Sequence, residues 1–171
     1  MLYARIPRYI EDGHIGLRLL RLSDIAYLQE ALSDQEISGA SRLSKTVSSS
    51  WLSVWWWIRT TFPLLYCIEY DSQRIGFIGL YNLNPGKSSE MTLVIFKDQY
   101  RRHGYGSWAF AIFIKYLKEQ HLVKQLIVRI ETENDISISF WQKLGFRESQ
   151  IIDNVMTLHM DLDDYIRNSM D

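Results

Sequence analysis

The chain has one cysteine, almost no excess charge and no long apolar run, and each shortage closes off a class of function. Cys67 stands alone in Leu-Leu-Tyr-Cys-Ile-Glu-Tyr. A single thiol closes no internal disulfide and supplies no metal cluster, so it reads as a small core residue and no metal site is expected. Nineteen Lys and Arg against twenty Asp and Glu leave a net charge of −1, without the basic excess of a nucleic-acid binder. No apolar stretch approaches the roughly 18 residues of a membrane span. The opening MLYARIPRYIEDGH carries acids instead of the apolar segment of a secretion signal. No repeat, low-complexity tract or linker interrupts the sequence, so residues 1–171 read as one soluble cytoplasmic domain without membrane or nucleic-acid partners.

Aromatic residues, by contrast, are plentiful, with six Trp among them. In WLSVWWWIRTTF, Trp51, Val54, Trp55 and Ile58 share a helical face that suits a core. Leu52, Trp56 and Arg59 flank that face, and Trp57 points elsewhere, toward a pocket border or subunit contact. Exposed aromatics would mark a homodimer face. Before this helix, residues 17–22 read as a first strand. Ser23 reads as the N-cap, with Asp24 in the first turn, of a helix through about Leu32. Residues 33–50 are serine-rich and read as a loop or short helix. Pro63 ends the tryptophan helix. Residues 64–70 and 75–83 then read as strands joined by Asp71-Ser72-Gln73-Arg74, and Asn84-Pro85-Gly86-Lys87 is a further turn. Three strands thus form an antiparallel meander ending in the apolar run Met91–Phe96.

From Ser107 to Gln120 the period changes. Tyr105, Trp108, Ala109, Ile112, Phe113, Tyr116 and Leu117 recur at three and four, as on one helical face. Between strand and helix lies Arg101-Arg102-His103-Gly104-Tyr105-Gly106-Ser107. The first amides of a helix lack partners within it, the helix dipole adds positive charge there, and glycine permits close approach. Such a turn seats a phosphate or pyrophosphate, although an ordinary strand–turn–helix with solvated basic residues would read the same. Next, residues 125–130 (QLIVRI) form a buried strand, parallel to the one before the helix. Asn134 or Asp135 caps a second helix, in which Ile136, Phe140 and Leu144 recur at four. Gly145 suits its left-handed end, with Phe146 folding back. Residues 147–152 and 155–162 read as a last pair of strands. His159 sits in that alternation as a core or edge residue, and the acidic tail DDYIRNSMD reads as frayed.

Gly104-x-Gly106-x-x-Ala109 also fits the dinucleotide fingerprint, with Glu131 about the right distance on. The context rejects it. Seven residues, Lys97 to His103, separate the strand from the turn; a meander precedes it; and about 65 residues after it are too few for a six-stranded parallel sheet. The pattern instead resembles the GNAT superfamily of acyl-CoA N-acyltransferases. Their Arg/Gln-x-x-Gly-x-Gly/Ala motif stands here as Arg101-Arg102-His103-Gly104-Tyr105-Gly106. Asn134-x-x-Ser137 and Trp141-Gln142-Lys143-Leu144-Gly145-Phe146 resemble the helix that follows in that family. The resemblance covers roughly residues 15–162 and is similar to the branch acting on ribosomal-protein N-termini and amino sugars.

That resemblance implies an α/β fold: a GNAT-like mixed sheet, antiparallel meander then a parallel splayed pair, flanked by helices. It implies acetyl-CoA as co-substrate, its diphosphate on the amides of Arg102, His103, Gly104, Tyr105, Gly106 and Ser107 beside Arg101. The strand at Leu93–Phe96, including Val94, Ile95 and Phe96, would pair with the pantetheine arm, and Asn134, Ser137 and Trp141 would line it. The acceptor would be a primary amine: a peptide N-terminus, an amino sugar or another small amine. The alternative is a non-catalytic acyl-CoA-binding module of the same fold.

Acylation needs a neutral amine. A lysine-like amine near pKa 10.4 is neutral roughly once in 2,500 at pH 7, about 4.6 kcal/mol uphill, whereas an α-amine is neutral in roughly one molecule in six to ten. A base therefore matters most for the first kind. Glu90 is the leading candidate, ahead of Asp98 and Glu69. The oxyanion would rest on a strand amide near Val94 or Ile95. Family members carry a tyrosine acid seven residues after the asparagine. Here that position is Trp141, whose indole donates a hydrogen bond but is no acid. A thiol near pKa 8.5 can leave as thiolate, with Ser137 or water protonating it afterwards.

Overall fold

Tight turns, several held by residues in left-handed backbone, fold the chain into one eight-stranded sheet. The computed structural model describes residues 6–33 and 51–169. Strand β1 (Tyr9–Asp12) turns through Gly13, at φ +57°, into β2 (Ile15–Leu19). Helix α1 (Ile25–Ser33) follows, then α2 (Trp51–Thr61), which stops before Pro63. Strands β3 (Leu64–Tyr70), β4 (Gln73–Asn84) and β5 (Ser88–Ile95) form the expected antiparallel meander. Asp71 and Ser72, both at positive φ, make the first of its turns.

Helix α3 (Tyr105–Glu119) crosses to β6 (Gln125–Glu131), which runs parallel to β5. Helix α4 (Asp135–Lys143) leads to the hairpin of β7 (Arg147–Ile152) and β8 (Val155–Asp161), closed by Asp153 and Asn154 at positive φ. The strand order is β1-β2-β3-β4-β5-β6-β8-β7, antiparallel except for β5–β6.

Alternation along β5 separates two cores. Val94 and Phe96 pack with Ile25, Leu28, Val54, Ile58 and Phe77 under α1 and α2. Leu93 and Ile95 face the opposite side, where α3 buries Phe110, Phe113 and Leu117 against the sheet. On α2, Val54 and Ile58 are buried as the helical spacing predicts, whereas Trp56 is 72% exposed. The side-chain expectations for Trp51, Leu52, Trp55 and Trp57, and the loop expected at 33–50 beyond Ser33, which ends α1, lie outside the described residues. Cys67 is buried, and that burial pushes its thiol up to about 12.

Three expectations are corrected. The first strand is Ile15–Leu19 rather than 17–22, and β1 precedes it unforeseen, because Tyr-Ile-Glu-Asp offers only two strand-forming residues. Ser23 does not cap α1: a 3-10 turn spans Leu22–Asp24, and the Asp24 carboxylate accepts the Arg21 N–H at 2.7 Å. The acidic tail is not frayed through residue 169, since α5 spans Leu162–Ser169. Leu162 is buried, Tyr165 meets Phe110 edge-on at 5.6 Å, and Asp163 and Asp164 suit the first turn's dipole.

Asp24 takes its place from an ion network that ties α1 to the sheet. Arg18 donates to both Asp24 oxygens, at 2.9 and 3.0 Å, and to Glu69 at 2.7 Å; Arg74 reaches Asp24 at 3.3 Å. Burial alone would raise the Asp24 carboxyl, but the hydrogen bonds from Arg18, the Arg21 amide and Arg74 outweigh it and hold it below the usual carboxylate range. Its folded value is thus depressed, so this stabilisation is complete above the unfolded value near pH 4 and is lost as pH falls through the folded one. Asp24→Ala removes two hydrogen bonds from the buried Arg18 guanidinium, which keeps only Glu69 and the Leu19 carbonyl, and is expected to cost about 2–3 kcal/mol in urea unfolding. It should also flatten the fall in stability as the pH drops below about 4; a cost below about 1 kcal/mol would show that the network does not anchor α1.

Candidate active site

Strands β5 and β6 pair at only three positions, Ser88–Gln125, Ser89–Leu126 and Glu90–Ile127. Beyond Glu90, β5 stays with β4 and β6 stays with β8, so the two part and leave a wedge. The direction of the β5 amides follows from one bond. Phe96 donates to Ile75 on the β4 side, so Val94, two residues back, faces β4 as well. Leu93 and Ile95 therefore turn their amides to the wedge. Of the two amides expected for an oxyanion, only that of Ile95 lies on the open side, with Leu93 beside it.

The basic turn closes the wide end of the wedge. Arg101 folds back, donating from Nε to the Ile95 carbonyl at 3.0 Å, from Nη2 to the Phe96 carbonyl at 3.1 Å, and from Nη1 to Asp98 at 2.7 Å. Its guanidinium thereby braces the turn against the end of β5. Arg102 sits at φ +61° and Gly104, the N-cap of α3, at φ +82°. Among the described residues no side chain caps the helix, and its first internal bond runs from the Trp108 N–H to the Gly104 carbonyl. The amides of Tyr105, Gly106 and Ser107 are thus left for an outside acceptor. A Cβ at Gly104 would meet nothing within 4 Å, so the approach is open. Gly106 is buried; its Cβ would touch Leu93 at 3.4 Å and Phe140 at 3.5 Å, which places the helix start beneath the wedge beside α4. His103 stacks on Tyr105 at 5.9 Å, and Tyr105 packs on Tyr70 at 4.5 Å.

On α4, the N-cap is Asn134 rather than Asp135: its side-chain oxygen accepts the Ser137 N–H at 3.0 Å. Both residues are half-buried. Gly145, at φ +100°, ends the helix as expected, with bonds from Gly145 to Gln142 and from Phe146 to Trp141. Trp141, expected along the carrier arm, lies mostly within the core. It is 4% exposed and packs edge-on against Phe110, Phe140 and Phe146, at 6.0, 5.2 and 5.0 Å.

Glu90 stands where the strands part, and its residue is 7% exposed. Its Oε1 accepts from Asn82 at 3.0 Å and faces Arg129 of β6 at 3.3 Å. Asn82 adopts φ +48° at a register shift in β4, which re-aims its amide onto the carboxylate. Neither partner was anticipated, although both were visible as polar breaks in apolar strands, Asn82 in 75–83 and Arg129 in QLIVRI. The other base candidates are engaged elsewhere: Glu69 with Arg18 at 2.7 Å, and exposed Asp98 with Arg101 at 2.7 Å. A separate concavity of about 250 Å³, lined by Lys143, Arg147, His159 and Asp164 among others, lies by the start of β6, away from the α3 turn.

This wedge, with free amides on one strand and an uncapped glycine turn at its mouth, is the form of a site for an extended phosphate-bearing acyl carrier. The family described as acetyltransferase (GNAT) domain matches residues 14–147. No curated protein matches the sequence. Among solved structures, a ribosomal L7/L12 alpha-N-protein acetyltransferase, RimL, in complex with coenzyme A is similar at TM-score 0.76 and 11% identity, over 91% of this chain and 98% of that one. The microcin C7 self-immunity acetyltransferase MccE, with acetyl-CoA and AMP, is similar at 0.69 and 12%, over 88% and 93%. A spermidine N-acetyltransferase chimera of Vibrio cholerae SpeG and hSSAT is similar at 0.72 and 13%, over 90% and 99%. The chain belongs to the GNAT acetyltransferase family, an acetyl-CoA-dependent N-acyltransferase with the mixed splayed sheet that the family motifs implied.

The two glycines of the turn make different demands. At Gly104, any Cβ meets the left-handed penalty of about 1–2 kcal/mol, so Gly104→Ala is expected to weaken coenzyme A binding by about tenfold in calorimetric titration. Gly106→Ala meets only ordinary contacts and should bind within about threefold of the parent. Equal losses in the two variants would mean that the turn's conformation does not set the affinity.

Proposed function

We propose that the protein moves acetyl from acetyl-CoA to a primary amine by direct attack, with residues 1–171 acting as one catalytic domain. The observation carrying this reading is the buried carboxylate of Glu90 at the apex of the wedge. Acetyl-CoA supplies a thioester carbonyl and a thiolate leaving group: the N–C bond forms, the C–S bond breaks, and the amine releases a proton. Glu90 receives that proton, directly or through water, with Asn82 fixing the carboxylate and Arg129 in contact with it. The amides of Leu93 and Ile95 take the developing negative charge on the carbonyl oxygen. Those of Arg102 to Ser107 hold the diphosphate, and Asn134 and Ser137 border the carrier arm. Trp141 supports this region from the core. The thiolate departs without a side-chain acid, and Ser137 or water returns its proton.

RimL, named for the α-amine of a ribosomal protein, and the spermidine enzyme both act on amines. The acceptor here is accordingly a peptide N-terminus, an amino sugar or a small amine. It approaches from the α1–α2 face, onto which Glu90 projects with Val94 and Phe96. A cytoplasmic setting belongs to the same reading, and so does a homodimer in which a second copy covers exposed Trp56.

Release of coenzyme A thiol, measured against α-amines and lysine-like amines, tests the proposal. Glu90→Gln is expected to lower kcat by 10²-fold or more for a lysine-like amine. For an α-amine the loss should be smaller, since roughly one molecule in ten is already neutral. A pH–rate profile left intact by Glu90→Gln would remove Glu90 from the role of base.

A further inference from the structure

The pair at the apex also bears on which amine is taken. Glu90 and Ile127 are paired across β5 and β6, and Arg129, two residues on, shares the face of Ile127. Both charges therefore project on the acceptor side, one from each strand, where the strands separate. Their settings differ sharply. The Glu90 side chain is 9% exposed and is held by Asn82, whereas the Arg129 side chain is 41% exposed. A guanidinium carries five N–H donors in a planar fork, and the contact with Glu90 engages one nitrogen, Nη2. The site thus combines a fixed anion with an adjustable cation in direct contact with it.

We infer that the natural acceptor carries an anionic group, a carboxylate or a phosphate, within a few bonds of its reactive amine, and that Arg129 binds that anion while Glu90 faces the amine. This rests on the transferase reading above and names its substrate class. The amine arrives largely as a cation and pairs with the buried carboxylate. Arg129, half in solvent, turns its fork to the ligand's oxygens, which match it bidentately. A compact acceptor with both charges replaces the protein's own ion pair by two pairs of the same sense, so neither Glu90 nor Arg129 is left without a partner. A polycation places like charge against Arg129, and a neutral amine leaves the guanidinium without gain.

The test uses the full chain with saturating acetyl-CoA, two matched pairs of probes and a polyamine. β-Alanine is compared with β-alaninamide, 2-aminoethyl phosphate with ethanolamine, and both sets with spermidine. The anionic member of at least one set is expected to show a kcat/KM roughly tenfold or more above its neutral partner and above spermidine. Which set shows the preference tells carboxylate from phosphate. Arg129→Gln should bring that ratio close to one, Arg129→Lys should keep part of it, and the KM for acetyl-CoA should stay within about twofold in both. A thermal melt of each variant separates loss of preference from loss of fold, and a folded Arg129→Lys carries the test if Arg129→Gln unfolds. Turnover with equal or better use of the neutral amines or spermidine overturns the inference alone, as does a ratio that survives in Arg129→Gln. Binding of coenzyme A without turnover of any amine overturns the transferase reading and this inference with it.

Discussion

The site exists because two parallel strands stop pairing after Glu90–Ile127. A sheet interior normally leaves no backbone group without a partner, because an unmade bond there costs the desolvation of the group. Here β4 holds one side of β5 and β8 holds one side of β6 through their full lengths, so each strand follows its own outer neighbour as the sheet twists. Among the described residues nothing pairs with the amides of Leu93 and Ile95, which face the gap where water or an extended ligand can satisfy them. The apex of the gap is a single residue, Glu90, which belongs both to the paired and to the parted strand, and the chemistry proposed above is placed there.

Everything at the wide end of the wedge serves to keep the start of α3 uncapped and in place. The turn contains Arg102 and Gly104 at positive φ, and a non-glycine residue there carries a conformational cost of about 1–3 kcal/mol. Arg101 offsets it by binding two carbonyls at the end of β5 and the Asp98 carboxylate. Its charge is therefore largely engaged by the protein itself, which makes it a brace more than a free phosphate ligand. Gly106 stands beside Leu93 and Phe140, so helix start, wedge and α4 form one continuous wall.

Where the sequence was legible, the signal was local. The change of period at Ser107, the turn at Asp71-Ser72 and the glycine at 145 each follow from residues within a turn or two of one another, and each element stands where that chemistry puts it. The wedge itself came from family resemblance, because strand parting is a matter of sheet partners that no short window encodes. What stayed hidden depends on distant contacts. Asp24 caps its turn instead of Ser23 because Arg18, on another strand, holds it. The final helix forms because Tyr165 reaches Phe110, far back in α3. Asn82 becomes a partner of Glu90 only through a register shift in β4, which a strand pattern read at strict period two cannot contain.

The burial of Trp141 makes the missing general acid a consequence of packing. Its ring closes an aromatic cluster with Phe110, Phe140 and Phe146, and the same residues seal the end of α4 through Gly145 and Phe146. A tyrosine in that orientation would bury a hydroxyl among rings, at about 1–3 kcal/mol unless a partner were found. Core and acid thus compete for one position, and in this chain the core holds it. On the proposed reading, the reaction then rests on the leaving ability of the thiolate and on forming a neutral amine. That shifts the demand toward the opposite end of the reacting atoms, to the buried carboxylate of Glu90 and the two side chains, Asn82 and Arg129, that set its surroundings.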